Sequence, residues 1–95
     1  MRRDEALEIL RNQKPILQER FGVSRVGIFG SVARDEAKDD SDVDIVVDMT
    51  PDLFLMVHVK ELLEEAFHSP VDVIRYREQM NPFLKKRIDR EAVYV

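Results

Sequence analysis

Val26-Gly27-Ile28-Phe29-Gly30-Ser31, then ten residues, then Asp42-Val43-Asp44-Ile45-Val46-Val47: this stretch decides the fold. Its first half is an apolar run that ends on glycine and serine. Its second half is an apolar run carrying two aspartates. Side chains alternate faces along a strand, so Asp42 and Asp44 are expected on one face. Val43 and Ile45 then point the other way, into a core. Two carboxylates on one face repel each other unless a cation lies between them, and Mg2+ prefers such oxygen ligands. Glycine followed by serine suits a tight turn whose backbone N–H groups approach a phosphate. Strand, turn and paired carboxylates together point to a metal-nucleotide site.

Length and composition narrow the class. Ninety-five residues are expected to form one domain, 1–95, with a modest core and no separate substrate-binding domain. A net charge of −4 offers no general attraction for nucleic acid or an anionic membrane. The chain lacks cysteine, which excludes disulfides and thiolate metal sites and fits a reducing cytoplasm. No apolar run approaches a membrane span, and no signal-peptide core is evident.

Working outward, residues 3–21 carry apolar side chains at helical spacing, from Ala6 through Leu10 and Leu17 to Phe21. Gly22 is the expected stop. Pro15 predicts a kink or break near Asn12 to Lys14. A strand is expected over 24–29, and a short helix over about Val32 to Glu36 after the Gly30-Ser31 turn. Residues 35–52 hold eight acidic residues and one lysine. Asp35, Glu36, Asp39 and Asp40 read as a solvated loop, and Asp48 as a solvent-facing strand end. An EF-hand reading of Asp40, Asp42 and Asp44 fails, because its glycine and glutamate positions hold Ile45 and Pro51. The common glycine-rich phosphate loops are also absent.

Thr50-Pro51 reads as an N-cap and first helical residue, opening a helix to about Phe67. Leu55, Val59, Leu62, Leu63 and Ala66 form its core stripe. Leu53, Phe54 and Val57 fall outside that stripe, as a partner surface or as packing under a loop. His58 and His68 have no metal-ligand partners in sequence and read as surface residues. Val71 to Ile74 is a strand interrupted by Asp72, which either faces water at a sheet edge or has a partner. Asn81-Pro82 opens a helix to about Arg90, with Leu84 and Ile88 buried. The basic residues between Arg75 and Arg90 form a solvated face or attract an acidic partner or nucleotide. Ala92 to Val95 has strand character. The class is α/β: a small mixed β-sheet with flanking helices, its site-bearing face open and the helices behind it.

Gly30-Ser31-x10-Asp42-x-Asp44 resembles the signature of the nucleotidyltransferase superfamily that includes DNA polymerase beta. The fuller pattern, Gly30-Ser31-Val32-Ala33-Arg34 with Ser41-Asp42-Val43-Asp44-Ile45, is similar to its smallest members, the minimal nucleotidyltransferases (MNT). The likeness runs from about Phe21 to Ile74. It departs at Asp35, where the family often has glycine. The resemblance implies the polymerase beta-like fold and Mg2+-dependent nucleotidyl transfer. Asp42 and Asp44 would hold two Mg2+ ions, and Asp72 would supply a third carboxylate beside the acceptor. Gly30 and Ser31 would hold the β- and γ-phosphates of ATP, and Arg34 would neutralise phosphate or pair with a nearby acid.

Minimal nucleotidyltransferases commonly accompany HEPN proteins in toxin–antitoxin pairs. The resemblance therefore implies AMP transfer from ATP to a tyrosine of a HEPN ribonuclease toxin. Two rivals stand beside it: an antitoxin that inhibits by binding alone, and transfer to a small molecule.

Overall fold

The computed structural model describes residues 1–95. Helix α1, Arg3–Phe21, precedes strand β1, Arg25–Phe29, and the one-turn helix α2, Gly30–Ala33. Strand β2, Val43–Asp48, and helix α3, Leu53–Phe67, follow. Strand β3, Val71–Arg75, helix α4, Pro82–Glu91, and strand β4, Val93–Tyr94, complete the chain. The four strands form one mixed sheet in the order β3-β2-β1-β4. β1 pairs antiparallel with both β2 and β4, whereas β2 and β3 run parallel. Parallel neighbours need a long crossover, which α3 supplies.

The alternation expected along β2 is present. Val43, Ile45 and Val47 are fully buried on the rear face, in a core shared with Val26, Ile28, Leu10, Leu17, Val59 and Leu63. α1 and α3 therefore cover the rear of the sheet. The front face is not fully open, contrary to expectation. Ile88 of α4 packs there against Phe29 and Val46, with Ile74, Leu84 and Tyr94 around them. The apolar spots at the middle of the front face need cover, and α4 provides it beside the acidic end of β2.

Several boundaries shift for local reasons. α1 runs unbroken through Pro15, so the expected break does not occur. Pro15 and Arg11, whose carbonyl loses its helical donor, both lie at the solvent-exposed surface. Gly22 ends α1 in the left-handed conformation, as expected. α3 is capped by Asp52, not Thr50, since its carboxylate accepts from the N–H groups of Phe54 and Leu55. Asn81 caps α4 in the same way through Phe83 and Leu84. α2 begins at Gly30 itself, two residues before the expected start.

Candidate active site

β1 ends at Phe29, which pairs with Asp44 in the ladder. The chain then turns at Gly30, whose φ of 74° is accessible to glycine at little cost. Space imposes the same choice, because a Cβ on Gly30 would collide with the Asp44 carboxylate. The turn and the second aspartate are thus fitted to each other. Asp44 also pairs in register with Asp72 on β3. Neighbouring strands lie roughly 4.8 Å apart, so these two side chains leave the sheet side by side. Asp42 lies one residue before β2, not within it, and is exposed.

The electrostatics follow from that placement. Asp44 is half-buried, and burial is the main cause that holds its carboxyl above the ordinary range. The Asp72 carboxylate pushes the same way, and Asp42 does so less strongly. The guanidinium groups of Arg87 and Arg34 pull in the opposite direction. The three aspartates do not form a preformed ion cage. Their donors are all carboxylate oxygens around an electrostatically crowded Asp44, and that set suits a hard divalent cation.

Asp72 meets both readings of its sequence position. β3 is the sheet edge and Asp72 is exposed, yet it stands beside Asp44. Ser31 follows Gly30 in α2 and is partly exposed. Arg34 closes α2 and pairs with acids: Glu91 at 2.8 Å and Glu36 at 3.6 Å. Asp48 pairs with Arg25 at 3.0 Å, away from the site. His58 and His68 are both exposed, and His68 serves as the left-handed C-cap of α3.

Two residues here have no place in the motif. Glu91 accepts the Gly30 N–H at 3.2 Å, and Arg87 stands 3.9 Å from the same carboxylate oxygen. Their signal was in the spacing of α4. Leu84, Arg87, Ile88 and Glu91 share one helical face, so a stripe with two apolar members carries two charges. A nearly buried carboxylate such as Glu91 needs partners, and the turn at Gly30 with Arg34 supplies them.

This fold and motif define a class. The chain matches the family described as polymerase beta, nucleotidyltransferase, over residues 11–95 and belongs to it. Within that family it is a minimal nucleotidyltransferase. It is 42% identical over 94 residues to the protein adenylyltransferase MntA of Thermococcus cleftensis, covering 97% of this chain and 94% of that one. A candidate protein adenylyltransferase of Methanocaldococcus jannaschii is 37% identical over 93 residues, covering 96% and 95%. A solved candidate minimal nucleotidyltransferase superposes with a TM-score of 0.78 at 35% identity, covering 98% and 95%. A toxin–antitoxin structure with AMP-PNP shares the fold, with a TM-score of 0.69 at 21% identity, covering 99% and 72%.

Proposed function

We propose that this protein transfers AMP from ATP to a tyrosine of a partner toxin of the HEPN ribonuclease type. The observation that carries the reading is the in-register pair Asp44 and Asp72, fitted against the Gly30 turn. The likeness to a protein adenylyltransferase supports AMP as the transferred group. The fold shared with a toxin–antitoxin structure supports a toxin as acceptor.

Asp42, Asp44 and Asp72 would hold two Mg2+ ions. When bound, the ions offset negative charge on the triphosphate and on the attacking oxygen. Gly30 and Ser31 hold the β- and γ-phosphates, and Arg34 balances their charge. Asp72, at the exposed edge of the sheet, orients the tyrosine hydroxyl and helps remove its proton. A bond forms between the tyrosine oxygen and the α-phosphorus as the bond to the leaving pyrophosphate breaks. The protein contributes chiefly positioning and a fixed electrostatic environment. No helix is long and apolar enough to cross a membrane. The lack of cysteine supports a cytoplasmic setting.

The test is intact mass spectrometry of the partner after incubation with this protein, ATP and Mg2+. The expected result is a mass increase of one or more adenylyl groups, lost when the modified tyrosine is replaced by phenylalanine. The modified partner should remain inactive after separation. An unmodified partner, inhibited equally by wild type and Asp44→Asn, would instead identify an antitoxin that acts by binding alone.

A further inference from the structure

Glu91 is the last residue of α4, where backbone carbonyls concentrate negative potential and a carboxylate is disfavoured. Its side chain is nevertheless only 11% exposed. One oxygen accepts from the Arg34 guanidinium at 2.8 Å and the other from the Gly30 N–H at 3.2 Å. A guanidinium and a backbone N–H would serve a phosphate equally well. They are also the groups that the nucleotidyl-transfer reading assigns to the triphosphate. The Gly30 N–H and one guanidinium N–H are committed to Glu91, so a phosphate that takes these two donors must displace that carboxylate.

We propose that Glu91 is a built-in competitor of the nucleotide, holding Gly30 and Arg34 until the β- and γ-phosphates displace it. The inference rests on the nucleotidyl-transfer reading. Arg87 lies one turn back on α4, 3.9 Å from the Glu91 carboxylate, and offers it a second cation. Displacement therefore leaves no charge stranded. Arg34 exchanges a carboxylate for a phosphate, and Glu91 exchanges Arg34 for Arg87. The competition favours ligands whose phosphate chain reaches Gly30, and AMP lacks the phosphates that do so.

Calorimetric titration of wild type and Glu91→Gln with Mg-ATP and with Mg-AMP tests this. Glu91→Gln should bind Mg-ATP about tenfold more tightly, the worth of one relinquished charge-assisted hydrogen bond. Its affinity for Mg-AMP should match wild type. Glu91→Asp keeps the charge on a shorter arm and should also tighten Mg-ATP binding, which preserves the test if the glutamine variant folds poorly. Unchanged or weaker Mg-ATP binding in the folded variants overturns the competitor role while leaving the nucleotide site intact. Equal tightening for Mg-AMP also overturns it, because general electrostatics would then suffice. Failure of wild type and variants alike to bind Mg-ATP overturns the site reading and the competitor with it.

Discussion

Gly30 meets two constraints, a positive φ and contact with Asp44, and Gly30→Ala violates both. Left-handed backbone costs an L-residue about 1–2 kcal/mol. The added methyl must also move the Asp44 carboxylate. Gly30→Ala should therefore abolish transfer, with a melting curve that shows a folded protein of reduced stability. Asp44 makes a prediction of opposite sign. Its carboxyl titrates above the ordinary range in the folded state. The stability this contributes is fully present below the unfolded pKa and is lost as pH rises through the folded one. In Asp44→Asn the cost of ionisation is gone. Without metal, the variant should be more stable than wild type at pH 7, by about 0.5 kcal/mol because solvent screens the site. The advantage should vanish below the unfolded carboxylate pKa, and Mg2+-dependent transfer should be lost. Thermal melts across pH, with and without Mg2+, measure both effects. Asp35 explains its own departure from the family pattern. It adopts φ 60°, a conformation that aspartate tolerates better than most residues, and its carboxylate accepts the Arg3 N–H at 2.9 Å. It thereby caps α1, whose own N-cap residue, Arg2, provides no side-chain bond. Asp35→Ala forfeits both the cap and the conformational tolerance, and should cost about 2 kcal/mol in denaturant unfolding. Asp35→Gly trades the cap against easier backbone and should lie much closer to wild type.

At the scale of elements, β3 carries the acceptor side of the proposed site. Asp72 is exposed at the sheet edge, so Asp72→Ala removes no core contact. It should lower kcat at least tenfold while leaving the affinity for ATP nearly unchanged, a split that steady-state kinetics with direct binding resolves. Equal turnover in variant and wild type would reduce Asp72 to a surface residue. Strand β2 shows what the sequence made legible. Period-two alternation placed Val43 and Ile45 in the core and Asp44 off it, and helical spacing found α1 and α3. The cover over the front face was harder to read. α4 presents Arg87 and Glu91 beside Leu84 and Ile88, and a charged stripe resembles a solvated one until its partners are known. The partners of Glu91, Gly30 and Arg34, come from a turn far away in the chain. The cap of α3 was misread for a local reason, since Thr50-Pro51 and Asp52 are competing signals two residues apart. Only the fold decides which one faces the free N–H groups.

The whole molecule leaves one apolar region uncovered. Leu53 and Phe54 at the start of α3 are about four-fifths exposed, as is Phe83 at the start of α4. Between the two helices, along the free edge of β3, runs a groove of about 490 Å³ lined by Leu53, Met56, Ile74, Arg75, Met80 and Leu84. On the function proposed above, this is the surface that would receive the toxin. Phe54→Asp tests it cleanly. The new carboxylate sits in the first turn of α3, where the helix dipole favours it, so the melting temperature should hold. Affinity for the partner should fall by about tenfold or more, because a charge would be buried unpaired in the interface. Surface titration of the variant against wild type measures the loss, and unchanged affinity would place the interface elsewhere.

The contact between Gly30 and Glu91 also governs the order in which the molecule assembles. It joins residues 61 positions apart, and the Gly27–Tyr94 pairing beside it reaches further still. Closing so large a loop costs more entropy than pairing β1 with the nearby β2, so α4 and β4 are expected to join after α1 and the β1–β2 pair. Gly27 makes that arrival possible, since a Cβ there would strike the backbone of β4. Gly27→Ala should therefore speed unfolding several-fold and leave the refolding rate almost unchanged in stopped-flow traces. On that order, Gly30 and Arg34 stay free of Glu91 until α4 is seated. The Glu91 contact would then be among the last to form.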